Sequence, residues 1–265
     1  MAKNLSRTKI GNLAYRDETP AEPIPSATVL LIKDSQNTKG IEVFLLERAS
    51  SSTFGGAFVF PGGKIDTEDY SDQIAKSTAG LTDIKASSLL GLSSGGLAYW
   101  IACIRECFEE TGMLLAYDSD STILQPSDEA KNKRFSAYRK RLNSGEPIFA
   151  EMCSTEAISL AADKLAYLSH WITPKSIQKR YTTRFFIAIA PYGQNTLHDG
   201  SEIVNSFWIQ PEKALQRNRD GNLPMILPTR RSLQQVCGYR TAVELFEEKS
   251  NIHPSTIQSV EPILS

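Results

Sequence analysis

A mixed α/β domain is the fold class this sequence predicts, and three observations carry the prediction. Short apolar runs at 27–32, 41–46 and 181–190 are rich in β-branched and aromatic residues, as buried strands are. Residues 97–111 instead repeat apolar side chains at helical spacing, with Leu97, Ile101, Ile104 and Phe108 on one face. The 265-residue chain is 41% apolar and 22% charged, near the globular average, so it can bury a sizeable core. One domain with insertions, covering 26–250, is expected at this length, without internal repeats.

Taken in order, residues 1–25 are polar and carry Pro20, Pro23 and Pro25, which predicts an extended arm. The runs at 27–32 and 41–46 flank a turn-like stretch and predict a hairpin of buried strands. Residues 55–60 read as a third extended segment that Pro61-Gly62-Gly63 stops. Residues 66–96 are polar, with Asp66, Glu68, Asp69 and Asp72 at the front, and predict a surface insertion with a short helix near 71–78. The helix over 97–111 ends at Gly112, suited to the left-handed position after a helix, and 113–117 leaves as a strand. A mainly helical insertion is expected over 118–170, with six basic residues between 131 and 141. The sheet resumes at 171–174 and 181–190, turns at Asp199-Gly200 and continues through 202–209. Pro211 starts a short helix, one closing helix follows Pro228-Thr229 to about Glu248, and 251–265 is a tail.

A net charge of −1 gives no global attraction to nucleic acid or anionic membranes, so an anionic ligand must be held by local charge. The four cysteines form no CxxC pair and have three histidines for company, which argues against zinc and for reduced thiols, with Cys103 and Cys107 as a minor redox alternative. No apolar run is long enough to span a bilayer, residues 1–15 lack a signal core, and 262–265 form no peroxisomal address. A cytoplasmic location is the expectation.

Glu106, Glu109 and Glu110 stand at i, i+3 and i+4, so their side chains are expected to converge opposite the apolar face. Converging carboxylates repel one another without a cation, and hard oxygen ligands suit Mg²⁺ or Mn²⁺. A Glu-rich stretch is most often a solvated helix face; the glycine turn before it and Gly112 after it favour a site. Arg105 would hold the cluster in shape, and a carbonyl at Gly62 or Gly63 would complete the coordination. Bound metal would acidify a water while one glutamate accepts its proton.

Gly63 followed by Arg105-Glu106-Cys107-Phe108-Glu109-Glu110-Thr111-Gly112-Met113 resembles the Nudix box, Gx5Ex7REUxEExGU with U bulky and apolar. From Gly63 to Arg105 there are 42 positions where the pattern has 14, an insertion of 28 residues, and Asp69 stands where the pattern has glutamate. Asp66 or Asp69 is the expected partner of Arg105. A box split in this way is similar to the peroxisomal coenzyme A diphosphatase type of Nudix protein and its bacterial relatives. The likeness continues through 60–63, 171–174, 183–186 and 199–208.

The resemblance implies an α/β/α sandwich around a mixed sheet, with Glu106, Glu109, Glu110 and Gly63 on the metal. It also implies catalytic roles for Glu106, Glu109, Glu110 and Arg105, and for Glu202 in a region where such proteins often supply a further acid. Lys64 beside the glycines and Arg184, inside an otherwise apolar strand, are the candidate substrate cations; for Arg184 a structural ion pair is the competing reading. Trp171, Trp208, Phe185 and His170 read as structural. The implied reaction is metal-dependent cleavage of a nucleoside diphosphate linked to a group X, with coenzyme A or an acyl-coenzyme A as a candidate. Nucleotide sugars, dinucleotides or capped RNA are the alternative substrates, and a non-catalytic nucleotide-binding module is the alternative of another class. The expected partner is the small-molecule substrate, not nucleic acid or membrane, and a homodimer stays open.

Overall fold

The computed structural model describes residues 20–50, 55–125, 128–194, 203–253 and 256–263. In chain order its strands are β1 (Ile24–Asp34), β2 (Ile41–Arg48), β3 (Phe58–Val59), β4 (Gly62–Lys64), β5 (Thr78–Ala79), β6 (Ala116–Tyr117), β7 (Ser159–Ala161), β8 (Ala166–Ile172), β9 (Tyr181–Ile189), β10 (Ile203–Ile209) and β11 (Ser259–Val260). Its helices are α1 (Asp72–Lys76), α2 (Asp83–Leu90), α3 (Leu97–Thr111), α4 (Glu129–Asn143), α5 (Phe149–Thr155), α6 (Pro211–Arg219), α7 (Leu227–Gln235) and α8 (Ala242–Ser250).

The main sheet runs β10-β2-β1-β9-β8-β11, with β3 added to β2 and β4 to β1. β1 is antiparallel to β2, with Ile32 opposite Val43, and parallel to β9, with Thr28 opposite Phe185. Successive β1 side chains go to opposite faces, as a pleat requires. Ala27, Val29 and Leu31 join a core with α3, whereas Leu30 and Ile32 pack with Leu233, Val236, Ala242 and Leu245 of the closing helices and their connection. Helices therefore cover both faces, which explains the unbroken burial from Val29 to Ile32. A second sheet, β5-β7-β6, ties the segment after β4 to the segment after α5.

The expected hairpin, the helix over 97–111 with Gly112 left-handed at φ +79°, and the long strand at 181–189 are all present. Other expectations need correction. Strand β1 begins at Ile24, inside the segment expected to be an arm, because Pro25 needs no amide where it lies opposite Thr182. Gly62-Gly63 does not simply stop a strand, since it forms β4 on β1, with Thr28 opposite Gly62. The 66–96 segment lies mostly at the surface and holds the expected short helix as α1, but it also carries β5 and α2 and is anchored by buried Asp69, Ile74, Ala86 and Leu90.

Only Ala116–Tyr117 of the expected strand at 113–117 pairs. The 118–170 stretch returns to strand at β7 and β8, before the expected resumption at 171. The closing helix is two, α7 and α8, broken near Gly238 at φ +84°. The tail also contributes, for Ser259 lies opposite His170 and Glu261 bonds Arg180 at 2.8 Å.

Helix α3 departs furthest from the amphipathic reading, because only Glu106 and Glu109 along its length escape full burial. Small side chains such as Ala98, Ala102, Cys103 and Cys107 let neighbours approach from every side. All four cysteines are free, and burial pushes the Cys107 thiol up to about 12. Among the described residues no helix is long and apolar enough to cross a membrane.

Candidate active site

Arg105 is the centre of the site. It is 4% exposed, and its guanidinium donates Nε to Asp69 Oδ1 and Nη2 to Asp69 Oδ2, both at 3.0 Å. A second Nη2 bond reaches the Lys64 carbonyl at 2.9 Å, while Nη1 bonds Glu106 Oε1 at 3.0 Å and Glu109 Oε1 at 3.2 Å. One side chain thus fastens β4, the turn carrying Asp69, and two of the glutamates. Although burial works against its charge, Glu106 and Asp69 hold its pKa above the ordinary value.

The open choice between Asp66 and Asp69 is decided by geometry. Asp69 is 2% exposed and makes the two-pronged contact, and it also accepts from the Asp66 amide at 2.8 Å. Asp66 stands 3.5 Å from Arg105 with its side chain mostly in solvent. Burial raises the Asp69 carboxyl, and its bonds to Arg105 hold that shift in check.

The three glutamates do not simply converge. Glu106 and Glu109 lean on Arg105, whereas Glu110 turns to β4, accepting from the Gly62 amide at 2.9 Å and lying 3.8 Å from Arg48. Among the described residues no three carboxylates form a ready-made metal-holding group. The residue types nevertheless fit a divalent cation. Asp66, Asp69, Glu106 and Glu109 surround the single guanidinium of Arg105, which leaves an excess of negative charge on hard oxygens. Burial pushes the Glu106 carboxyl up to about 7 against the pull of Arg105, and the Glu109 charge adds to the rise. A Cβ at Gly63 would collide with the Glu106 carboxylate, so glycine keeps the β4 backbone against that acid.

These groups line a cleft of about 1290 Å³ that also takes in Lys64, Thr183, Phe185, Trp171 and the start of α7. Trp171 and Phe185 are buried core residues whose surfaces reach this cleft. His170 is structural: its ring bonds Thr182 Oγ1 at 2.7 Å, and burial, with the Arg184 charge, pushes its pKa down to about 4.

Arg184 is not among the residues lining the cleft. Alternation along β9 turns it away from Thr183 and Phe185, and it bonds the Tyr167 hydroxyl at 2.5 Å and the Leu90 carbonyl at 3.2 Å. Glu202, like the Asp199-Gly200 turn, lies outside the described residues. The basic run of 131–141 is mostly a solvated face, with Lys133 on Glu129, Arg134 on Glu156 and Arg141 on Glu146. Arg139 is its exception. Its Nε bonds the Glu109 carbonyl at 2.8 Å and so clamps the carboxylate end of α3 from outside. Arg139 is legible only as one member of a basic run whose favoured reading is a solvated face, and Arg48 carries no sequence signal.

Comparison with known proteins gives a consistent picture. The model of the NUDT19 Nudix domain matches residues 82–235. The chain is 28% identical over 240 residues to acyl-coenzyme A diphosphatase NUDT19 of Xenopus laevis, covering 79% of this chain and 63% of that protein. The Gallus gallus protein of the same name is 25% identical over 244 residues, covering 79% of this chain and 65% of that protein. The chain therefore spans a little under two thirds of the length of these relatives. A solved NUDIX hydrolase from Alicyclobacillus acidocaldarius superposes with a TM-score of 0.70 at 23% identity, over 85% of this chain and 96% of that one, and shares the fold. The sandwich, the split box and the family match, which spans more than half of the chain, lead to one conclusion: this chain belongs to the Nudix family, in the NUDT19 Nudix domain group.

Proposed function

We propose that this chain is a divalent-metal-dependent pyrophosphohydrolase that cleaves the diphosphate of a nucleoside diphosphate linked to a group X, with coenzyme A or an acyl-coenzyme A as X-bearing substrate. One observation carries the reading: Arg105, locked from behind on Asp69, holds Glu106 and Glu109 beside a glycine strand whose Gly62 amide is bonded to Glu110, and Arg105, the three glutamates and both glycines line one cleft. The names of the relatives support the coenzyme A substrate, and the all-thiol cysteines suit a reducing, cytoplasmic setting.

In this reading Glu106, Glu109 and Glu110 hold Mg²⁺ or Mn²⁺, with the β4 backbone at Gly63 as a further oxygen donor. The cation, when bound, neutralises phosphate charge and acidifies a water. Arg105 keeps the carboxylates in place, and a glutamate oxygen left over from the cation accepts the proton that the attacking water loses. Lys64, the last residue of β4, lines the cleft and is suited to a phosphate oxygen.

The test is turnover on coenzyme A, an acyl-coenzyme A, a nucleotide sugar, a dinucleotide and capped RNA, with Mg²⁺, Mn²⁺ or excess chelator. Cleavage of the coenzyme A compounds to two phosphate monoesters, lost with chelator, is the expected result. Absence of product from every compound would leave a binding module in its place. A second expectation follows from the packed glycine. Gly63→Ala displaces the Glu106 carboxylate, whose far end can shift without unfolding anything, so the melting temperature should hold while turnover falls about 10- to 100-fold. An unchanged rate would show that the position of Glu106 does not matter.

A further inference from the structure

Helix α7 begins at the cleft in a way its own sequence leaves unfinished. Ile226 at its N-cap offers no capping side chain, Pro228 occupies the first turn, and no acidic residue lies in that turn. The Arg230 amide reaches the Ile226 carbonyl at 3.2 Å, whereas the Leu227 and Thr229 amides have no acceptor among the described residues. Thr229 supplies an independent observation. It is 2% exposed and lines the cleft, yet its hydroxyl makes no hydrogen bond among the described residues. A hydroxyl on a buried residue that lines the cleft, not sealed off as Ser232 Oγ is and without a partner among the described residues, is suited to a ligand that enters the cleft.

The surroundings indicate the sign of that ligand's charge. Two free amides at a helix N-terminus attract an anion, and Arg230, also lining the cleft, adds a cation beside them. The loop before α7 is fixed to the strand leading into the glycine turn, for the Phe58 amide bonds the Pro224 carbonyl at 2.8 Å. The cleft thus has an acidic side at α3 and an anion-seeking side at α7, and apolar Met225 and Ile226 also line it.

We infer that the Leu227 and Thr229 amides, the Thr229 hydroxyl and Arg230 form a phosphate subsite. This deepens the diphosphatase reading and rests on it for the identity of the ligand: the acidic side takes the cation and scissile diphosphate, and α7 takes a further phosphate monoester on the same substrate. The shared chemistry would also admit one phosphate of the diphosphate itself, which the experiment separates.

Calorimetric titration of the full chain in excess chelator removes the metal and compares adenosine 3′,5′-bisphosphate with ADP, for wild type, Thr229→Val, Thr229→Ser and Arg230→Gln. Because the hydroxyl bonds nothing among the described residues, Thr229→Val should fold as wild type does. It should bind the bisphosphate about tenfold more weakly, one charge-assisted hydrogen bond being absent, and Thr229→Ser should restore binding. Arg230→Gln should weaken binding as well. If the wild type prefers the bisphosphate and Thr229→Val erases that preference, the subsite reads a phosphate monoester. If both ligands bind alike and weaken alike, the subsite still binds phosphate and its source is the diphosphate. Equal binding by wild type and Thr229→Val, or no binding by the wild type, overturns the proposal. Binding here needs no turnover, so a protein that binds the bisphosphate through Thr229 but cleaves no diphosphate would sink the hydrolase reading alone.

Discussion

Glu109→Gln should lower Mg²⁺-dependent turnover by about 10³-fold, and its melting temperature should stay within a few degrees of wild type. The asymmetry comes from what each neighbour asks of this side chain. Arg105 Nη1, at 3.2 Å, needs only an oxygen acceptor, which the amide of glutamine keeps. A divalent cation needs the negative charge, and the amide nitrogen presents hydrogens where a ligand oxygen should be. The clamp from Arg139 acts on the Glu109 carbonyl and not its side chain, so the end of α3 should hold its place in the variant. Glu110→Gln should lose activity to a similar degree, although its bond from the Gly62 amide can also survive on the amide oxygen. Initial rates across a Mg²⁺ titration, read beside thermal melts, make the check. A near-wild-type rate in either variant at saturating Mg²⁺ would remove the carboxylates from the cation and with them the proposed reaction.

The parts of this molecule that were legible beforehand are those in which local pattern and tertiary role agree. Helix α3 has helical spacing, a carboxylate cluster and a glycine that only the left-handed region explains, so its bounds match the expected 97–111. Strand β9 is apolar and β-branched because both of its faces are covered. Legibility failed where distant packing overrides composition. The 66–96 segment looks polar because its acids are conspicuous, yet Ile74 in α1 and Ala86, Ser87 and Leu90 in α2 are buried, and one of those anchors is itself a serine. Gly62-Gly63 reads locally as a stop, and only the partner strand β1 makes it a strand.

The same limit governed the site. Glutamate spacing pointed to the chemistry, but the direction of each carboxylate depends on Arg105 and on the Gly62 amide, 48 residues away along the chain. Arg184 shows the converse, in which an arginine in an apolar strand suggested a ligand or an ion pair, while strand alternation set it on the neutral oxygens of Tyr167 and Leu90.

Asp69→Ala should be the most destabilising single change near the site, costing about 3–5 kcal/mol and lowering the melting temperature on the order of 10 °C. The cause is the missing two-pronged hydrogen bond at a buried site, since Glu106 and Glu109 still balance the charge of Arg105. Arg105 is buried at 4% exposure and takes two of its five hydrogen bonds to Asp69, so removal strands two enclosed N–H donors, on Nε and Nη2, with no acceptor. Glu106 and Glu109 share only Nη1 and cannot replace that pair without abandoning the cleft. Asp66→Ala is the matched comparison. Its carboxylate touches the same arginine at 3.5 Å but is largely solvated, so a destabilisation below about 1 kcal/mol is expected. Asp69→Glu restores the acid of the common box pattern but adds a methylene to a position only 2% exposed, and should recover part of the stability without all of it. Denaturant melts of the three variants in chelator read the fold apart from any cation. Equal stability of Asp69→Ala and Asp66→Ala would mean that Arg105 is not held by Asp69, and that the split box closes by some other interaction across its insertion.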